Sequence, residues 1–199
     1  MKKIALIAIA LLSICNVEAQ NISQRARSMR MESYAKEEYQ VKDIKIFDDT
    51  MFVICRSEYV HYPVGKFNSV DAYINRSNLD WYRQMNYRSF FSDSLSVPVT
   101  NIKRLDDSYI DTYSSINTGK MEIIGGHITD PAIKLRLKVC VGMSKKDVFM
   151  AFFRAFPQTY IADINVLRIV SAGGEFAQIF TFKRNRLQYI DFITNYRYY

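Results

Sequence analysis

Trp81, Tyr82, Tyr87, Phe90 and Phe91 form the densest aromatic group of the chain, with Arg83 and Arg88 interleaved. Flat rings beside guanidinium groups can stack on sugar rings or form the centre of a protein interface, where Trp, Tyr and Arg are over-represented. The same residue types also suit a core with an amphipathic rim. Trp81, Tyr82, Arg83 and Tyr87 are therefore the first candidate binding residues. A second set lies in segment 133–139, which alternates strictly between apolar and cationic residues. As a strand it would place Lys134, Arg136 and Lys138 on one face about 7 Å apart. Such a face could meet a negatively charged partner, or it could guard a sheet edge against pairing with another edge.

Catalytic chemistry finds no comparable footing. The chain has no Gly-x-Ser-x-Gly, and Cys55 with His61 would need a third, orienting group to act as a nucleophile pair. Asp48-Asp49 and Asp106-Asp107 stand beside turn signals, where Asp is favoured for its local hydrogen bonding. Metal ligation needs clustered donors, but there is no Cys-x-x-Cys, and the two histidines, His61 and His127, are far apart in sequence. We therefore assign no catalytic residue, metal or cofactor, and expect a protein that is not an enzyme. Gly142 with Lys145 and Lys146 could cradle an anion at a helix start. Capping explains that segment more fully: Ser144 caps, Asp147 returns to the cap's amide, Met143 and Val148 form a hydrophobic staple, and Gly142 permits the sharp turn before them.

Residues outside the fold decide where these candidates would work. Lys2 and Lys3 precede a mostly apolar run over 4–15, and Val17-Glu18-Ala19 ends with small residues at the positions a signal peptidase reads. Twelve residues fall short of the roughly 20 a bilayer span needs. We read 1–19 as a signal peptide cleaved to leave Gln20. The rival is a lipoprotein signal acylated at Cys15, which has the bulky Ile14 where Gly, Ala or Ser is wanted. No later apolar segment reaches membrane-spanning length, so a periplasmic or secreted protein is expected. Losing Lys2, Lys3 and Glu18 with the signal lowers the net charge from +7 to +6. An exported chain meets little nucleic acid, so the dispersed basic excess points to solubility or to anionic envelope surfaces. Cys55 and Cys140 survive processing. In an oxidising compartment they could pair, contributing about 4 kcal/mol by closing a long loop, or each could be a small buried apolar residue.

The elements that must position the candidates can be read coarsely. Residues 20–38 are polar, with helical spacing at Ile22, Ala26, Met29 and Ser33, and form either an arm or a short helix. Runs 39–47 and 51–58 flank a turn and predict a hairpin. Ser77 or Asn78 is placed to cap a helix carrying Leu79, Tyr82, Met85 and Phe90. Runs 108–115 and 121–128 predict a second hairpin, with Gly119 supplying positive φ. A helix starts at Ser144, buries Val148, Phe149, Phe152 and Ala155, and stops at Pro157. Three strand-like runs follow, 164–170, 176–183 and 187–193. The expected class is α+β: a helix packed on an antiparallel β-sheet that ends in a three-stranded meander, possibly as two related units. The expected division is a hairpin-rich part over 39–138 and a helix-plus-meander part over 139–199.

One stretch carries a family likeness. Val141-Gly142-Met143-Ser144-Lys145-Lys146-Asp147-Val148, an apolar helix closing near Pro157, then Phe180-Thr181-Phe182-Lys183 and Leu187-Gln188-Tyr189-Ile190 resemble the small envelope proteins of the β-lactamase-inhibitor-like fold. That group includes the small lipoprotein of the outer-membrane barrel-assembly machinery. The resemblance covers roughly 139–193 and departs from the pattern at Ala155, where those proteins usually carry Gly two residues before the proline. It implies a helix over a meander and a non-enzymatic envelope role in binding another envelope protein. The wealth of Tyr, Phe, Asn, Lys and Ile is similar in style to exported proteins of gut Bacteroidetes. A secreted glycan-binding module using the aromatic surface around Trp81 is the alternative expectation.

Overall fold

The computed structural model describes residues 35–56, 58–89, 96–115, 118–154, 156 and 158–194. The expected signal peptide, Cys15, most of the 20–38 arm, Phe90, Phe91, Ala155 and Pro157 lie outside them. After a 3₁₀ turn at Glu37–Tyr39, strands β1 (Val41–Phe47) and β2 (Thr50–Cys55) form a hairpin. Two short helices follow, α1 (Glu58–His61) and α2 (Val70–Ser77). Strands β3 (Tyr82–Ser89), β4 (Ser96–Lys103), β5 (Tyr109–Ser114) and β6 (Met121–Ile128) pair in succession, each antiparallel to the one before. Helices α3 (Lys145–Phe152) and α4 (Gln158–Asp163) precede strands β7 (Val166–Ser171), β8 (Phe176–Lys183) and β9 (Arg186–Thr194).

All nine strands among the described residues join one sheet in the order β1-β2-β7-β8-β9-β6-β5-β4-β3. The class is α+β, largely sheet. The sheet is mixed rather than wholly antiparallel, because β2 runs parallel to β7. A parallel neighbour needs a long crossover, and everything from α1 to α4 supplies it. Strands from 39–138 and from 139–199 alternate across this sheet, meeting at β2–β7 and again at β6–β9.

One face of the sheet carries the core. Met51, Val53 and Cys55 alternate inward on β2, Leu167 and Ile169 on β7, and Phe176, Phe180 and Phe182 on β8. Each of the four described α-helices contributes to that single cluster: Val60 from α1, Tyr73 from α2, Phe149 and Phe152 from α3, and Ile161 from α4. Phe149 lies against Phe182 with ring centroids 6.1 Å apart, and Phe152 against Phe180 at 5.4 Å. Each fully buried side chain of this kind contributes about 1.5–3 kcal/mol. The buried Gln178 on β8 is satisfied by α1, donating from Nε2 to the carbonyls of Tyr59 and Val60 at 2.7 and 3.0 Å.

Three expectations are corrected. Ser77 and Asn78 end a helix instead of starting one: α2 is capped by Ser69, whose Oγ accepts from the Ala72 amide at 3.1 Å, and Asn78 takes the left-handed conformation, φ 53°. The chain beyond is strand β3, so the helical spacing of Tyr82 and Met85 is overridden by full-length pairing with β4. Segment 133–139 is not a strand but a looped stretch folded on itself, with the Leu135 amide bonded to the Val139 carbonyl at 2.9 Å and Lys138 at φ 62°. Its alternation survives as alternating burial without any sheet pairing. Helix α3 ends at Phe152, earlier than the proline signal implied.

Candidate functional site

Because every helix among the described residues packs on the core face, the other face of the sheet is built from its strands by register. One cross-strand row runs over all nine strands: Tyr82, Lys103, Tyr109, His127, Asp191, Ile179, Arg168, Phe52 and Lys45. Side chains at paired positions share a face, so these nine residues form a continuous band. Beside it runs Tyr189, Thr181, Val166, Thr50 and Phe47, and on the other flank Ile193, Ala177, Val170 and Ile54. Phe47 is 59% exposed and Ile193 45%, while Phe52, Tyr189, Ile179 and Val166 are half-buried. None of these apolar residues belongs to the core cluster.

Polar groups are placed within this apolar band. The His127 Nδ1 lies 2.6 Å from Asp191 Oδ1, and the imidazole sits between the rings of Tyr189 and Tyr109, with centroids 5.2 and 6.5 Å away. The Arg168 guanidinium lies over the Phe52 ring at 5.3 Å, and its Nε is buried with no hydrogen-bond partner. At the β4–β5 end, Asn101 Nδ2 donates to the buried Asp111 Oδ1 at 2.6 Å. Lys45, Arg168 and Lys103 against the single acid Asp191 make the main row predominantly cationic and aromatic. A carboxylate-held imidazole can act as a base, but among the described residues no hydroxyl or thiol hydrogen-bonds to His127 as a nucleophile would. Tyrosine rings and a guanidinium are also residue types enriched at protein interfaces.

The residues singled out from sequence are dispersed around this band. Tyr82 begins the row and is 59% exposed. Arg83 and Tyr87 are on the opposite face of β3, Arg83 paired with Asp71 and Tyr87 70% exposed. Trp81 is half-buried against the core, its ring 5.8 Å from that of Tyr73, its indole N–H donating to Ser77 Oγ at 3.0 Å, and the Arg104 guanidinium 6.0 Å from its centroid. Lys134, Arg136 and Lys138 are exposed on the loop before α3. The Arg136 guanidinium lies 4.2 Å from the Tyr59 ring centroid and its amide donates to the Pro63 carbonyl at 2.7 Å, which ties that loop to α1.

The capping residues hold the start of α3 to the β8–β9 turn. Gly142 has φ 87°; its amide donates to the Leu187 carbonyl at 2.8 Å, and its carbonyl accepts from Arg186 Nη1 at 2.8 Å. The Leu187 amide returns to the Met143 carbonyl at 2.9 Å. Ser144 Oγ accepts from the Asp147 amide at 3.1 Å and donates to Asp147 Oδ2 at 2.6 Å, so the acid bonds the cap's hydroxyl rather than its amide. Val148 is fully buried. Cys55 is buried and Cys140 half-buried, and no disulfide joins them.

His127, Asp191, Tyr109, Tyr189 and Arg168 were not singled out by sequence reasoning. The only local signal was the period-2 alternation of their strands, which places each on a face but not beside its partners. Among the described residues no group of three or more His, Cys, Asp or Glu could hold a metal, and no helix is long and apolar enough to cross a membrane. Comparison with protein-family models, with curated proteins and with solved structures gives no match.

Proposed function

We propose that this chain is an exported, non-enzymatic cell-envelope protein that binds another envelope protein through the helix-free face of its sheet, the face on which no helix packs among the described residues. The observation that carries the reading is the band itself: half-exposed aromatic and aliphatic side chains, interrupted by Arg168, His127 and Asp191, on the sheet face opposite the core. Interfaces of this type combine an apolar centre with Tyr and Arg anchors. The basic excess of the row favours a partner with an acidic rim. The N-terminal segment 1–19 fits export, and the likeness of 139–193 to the β-lactamase-inhibitor-like proteins, read as α3 over β7–β9, fits a binding role. Trp81 offers no open ring platform, which supports this reading over glycan binding at that residue.

The test is site-specific photocrosslinking in the native host, with the photoreactive residue at Tyr189 and, as a control on the helix side, at Met150. One envelope protein captured reproducibly from position 189 and not from position 150 is the expected result. Equal, diffuse labelling from both positions would refute the proposal, and saccharide-dependent quenching of Trp81 fluorescence without any captured protein would favour the glycan alternative. Mass spectrometry of the purified N-terminus checks export: Gln20 is expected, and a diacylated Cys15 would replace a soluble protein with a lipid-anchored one.

A further inference from the structure

The two edges of the sheet are built differently. At one edge, β1 carries a bulge between Val41 and Asp43 and presents Lys42, Asp43 and Lys45 along its length, the usual means of discouraging another strand. At the other, β3 pairs with β4 through eight consecutive residues with no bulge and no proline. Tyr82, Met85 and Tyr87 on it are open, 59%, 61% and 70% exposed. The neighbouring strand shows what protection would look like: Pro98 of β4 stands where pairing to β5 stops, and the β4–β5 register begins only at Val99. No such device lies on the outer side of β3 among the described residues.

The sequence of this edge is complementary to itself in reverse. Tyr82-Arg83-Gln84-Met85-Asn86-Tyr87-Arg88 set antiparallel to a second copy, with the two-fold axis at Met85, pairs Tyr82 with Arg88, Arg83 with Tyr87, Gln84 with Asn86, and Met85 with Met85. Every aromatic residue meets an arginine and every amide meets an amide. Moving the axis by half a residue, to between Met85 and Asn86, places Arg83 opposite Arg88, a like-charge pair that opposes association. The register centred on Met85 is thus distinguished by charge, and since paired positions differ by an even number, each pair also falls on one face of both sheets.

We infer that β3 is a homodimerisation edge, at which two copies of this chain join antiparallel about Met85 to make one continuous sheet. This rests on β3 alone and is independent of what binds the helix-free face. A single seven-residue pairing is small beside a standard interface of about 1,600 Å², so the dimer is reversible and concentration-dependent. Because the contact is isologous, it closes at two copies and does not propagate.

Sedimentation velocity over a concentration series of the chain lacking residues 1–19 tests it. The mass is expected to double with rising concentration. Met85→Lys and Met85→Glu should each remain monomeric, because like charges meet at the axis, while an equimolar mixture of the two should recover the dimer. Met85 is exposed, so both variants should keep the thermal midpoint of the parent, which separates lost association from lost folding. A parent that stays monomeric at all attainable concentrations, a dimer that survives both substitutions, a mixture that fails to recover it, or assembly beyond two copies overturns the proposal.

Discussion

His127 on β6 and Asp191 on β9 stand directly opposite one another at the antiparallel one of the two seams where the stretches of the chain meet, with Nδ1 and Oδ1 2.6 Å apart. Only four residue pairs make that seam, Gly125 to Ile128 against Ile190 to Ile193, so one polar contact lies in a short and otherwise apolar join. Both side chains are about a third exposed, 32% and 30%, and solvent screening limits what the contact adds to stability. Asp191→Asn should therefore shift the urea midpoint by less than about 1 kcal/mol in free energy. If the helix-free face is the binding surface, the same change should sharply reduce crosslinking from Tyr189. A large loss of stability with unchanged crosslinking would make the pair a structural feature instead.

The start of α3 makes a second, sharper prediction. Ser144→Ala removes the acceptor for the Asp147 amide and the donor to its carboxylate, and should cost about 1 kcal/mol. Phe149→Ala should cost about 3–5 kcal/mol, because Phe149 is fully buried and its ring contacts Phe153, Phe156 and Phe182. Equilibrium denaturation of both variants checks the order as well as the sizes. Equal costs would mean that α3 is held by its cap and not by its aromatic face.

These predictions concern the parts of the chain whose local chemistry is plain. Ser144 caps a helix, Gly119 turns a hairpin at φ 62°, and the strand-forming run through Met51, Val53 and Cys55 buries alternate residues, each from interactions within a few positions. The α+β class follows from such signals. Legibility fails where two local readings compete: Ser77-Asn78 suits either end of a helix, and only the left-handed Asn78 decides for the end. Tyr82 and Met85 have helical spacing, yet pairing Tyr82 with Lys103 and Met85 with Thr100 extends the sheet. The candidate face was not legible at all, because Arg168 meets Phe52 through the parallel β2–β7 contact, and His127 meets Asp191 through β6–β9. Neither long-range register leaves a trace in the spacing of the residues it brings together.

Lys145 gives a third prediction. It follows the cap at the start of α3, yet it is only 3% exposed and its Nζ donates to the carbonyls of Ile161 and Ala162 at 3.2 and 3.1 Å. Burial holds its ammonium below the ordinary lysine range, opposed by the negative charges of Asp163 and Asp49. Lys145→Met keeps the apolar stem but leaves two carbonyls of α4 without their donor, at a cost of about 1–3 kcal/mol. Amide hydrogen exchange should speed up first in α4 and the residues leading into β7. Unchanged exchange there would show that α4 is held by Ile161 alone.

The last prediction concerns alkaline stability. Tyr39 is 2% exposed and Tyr73 5%, the first beside the rings of Tyr59 and Phe152, the second between Phe67 and Trp81. Burial pushes both phenols well above the ordinary tyrosine value, and the nearby Glu38 charge adds to the rise at Tyr39. In the unfolded chain these groups ionise near pH 10, about the usual value, whereas in the fold they keep their protons. Above that pH the native state therefore binds more protons than the unfolded state, and stability falls as pH rises toward the raised native values. Lys145 acts in the opposite direction, because its proton is held more weakly in the fold and the resulting penalty fades as pH climbs toward the ordinary lysine value. Tyr62, whose phenol burial also raises, acts in the same direction as Tyr39 and Tyr73, so three phenols against one amine leave a net loss. Phenolate absorbance followed together with near-ultraviolet circular dichroism should show a fraction of the tyrosines ionising only as the fold is lost. Tyr73→Phe should make the decline in stability above about pH 10 shallower, by the slope of one proton. Complete ionisation of all tyrosines with the fold intact would show that Tyr39 and Tyr73 are not held out of water.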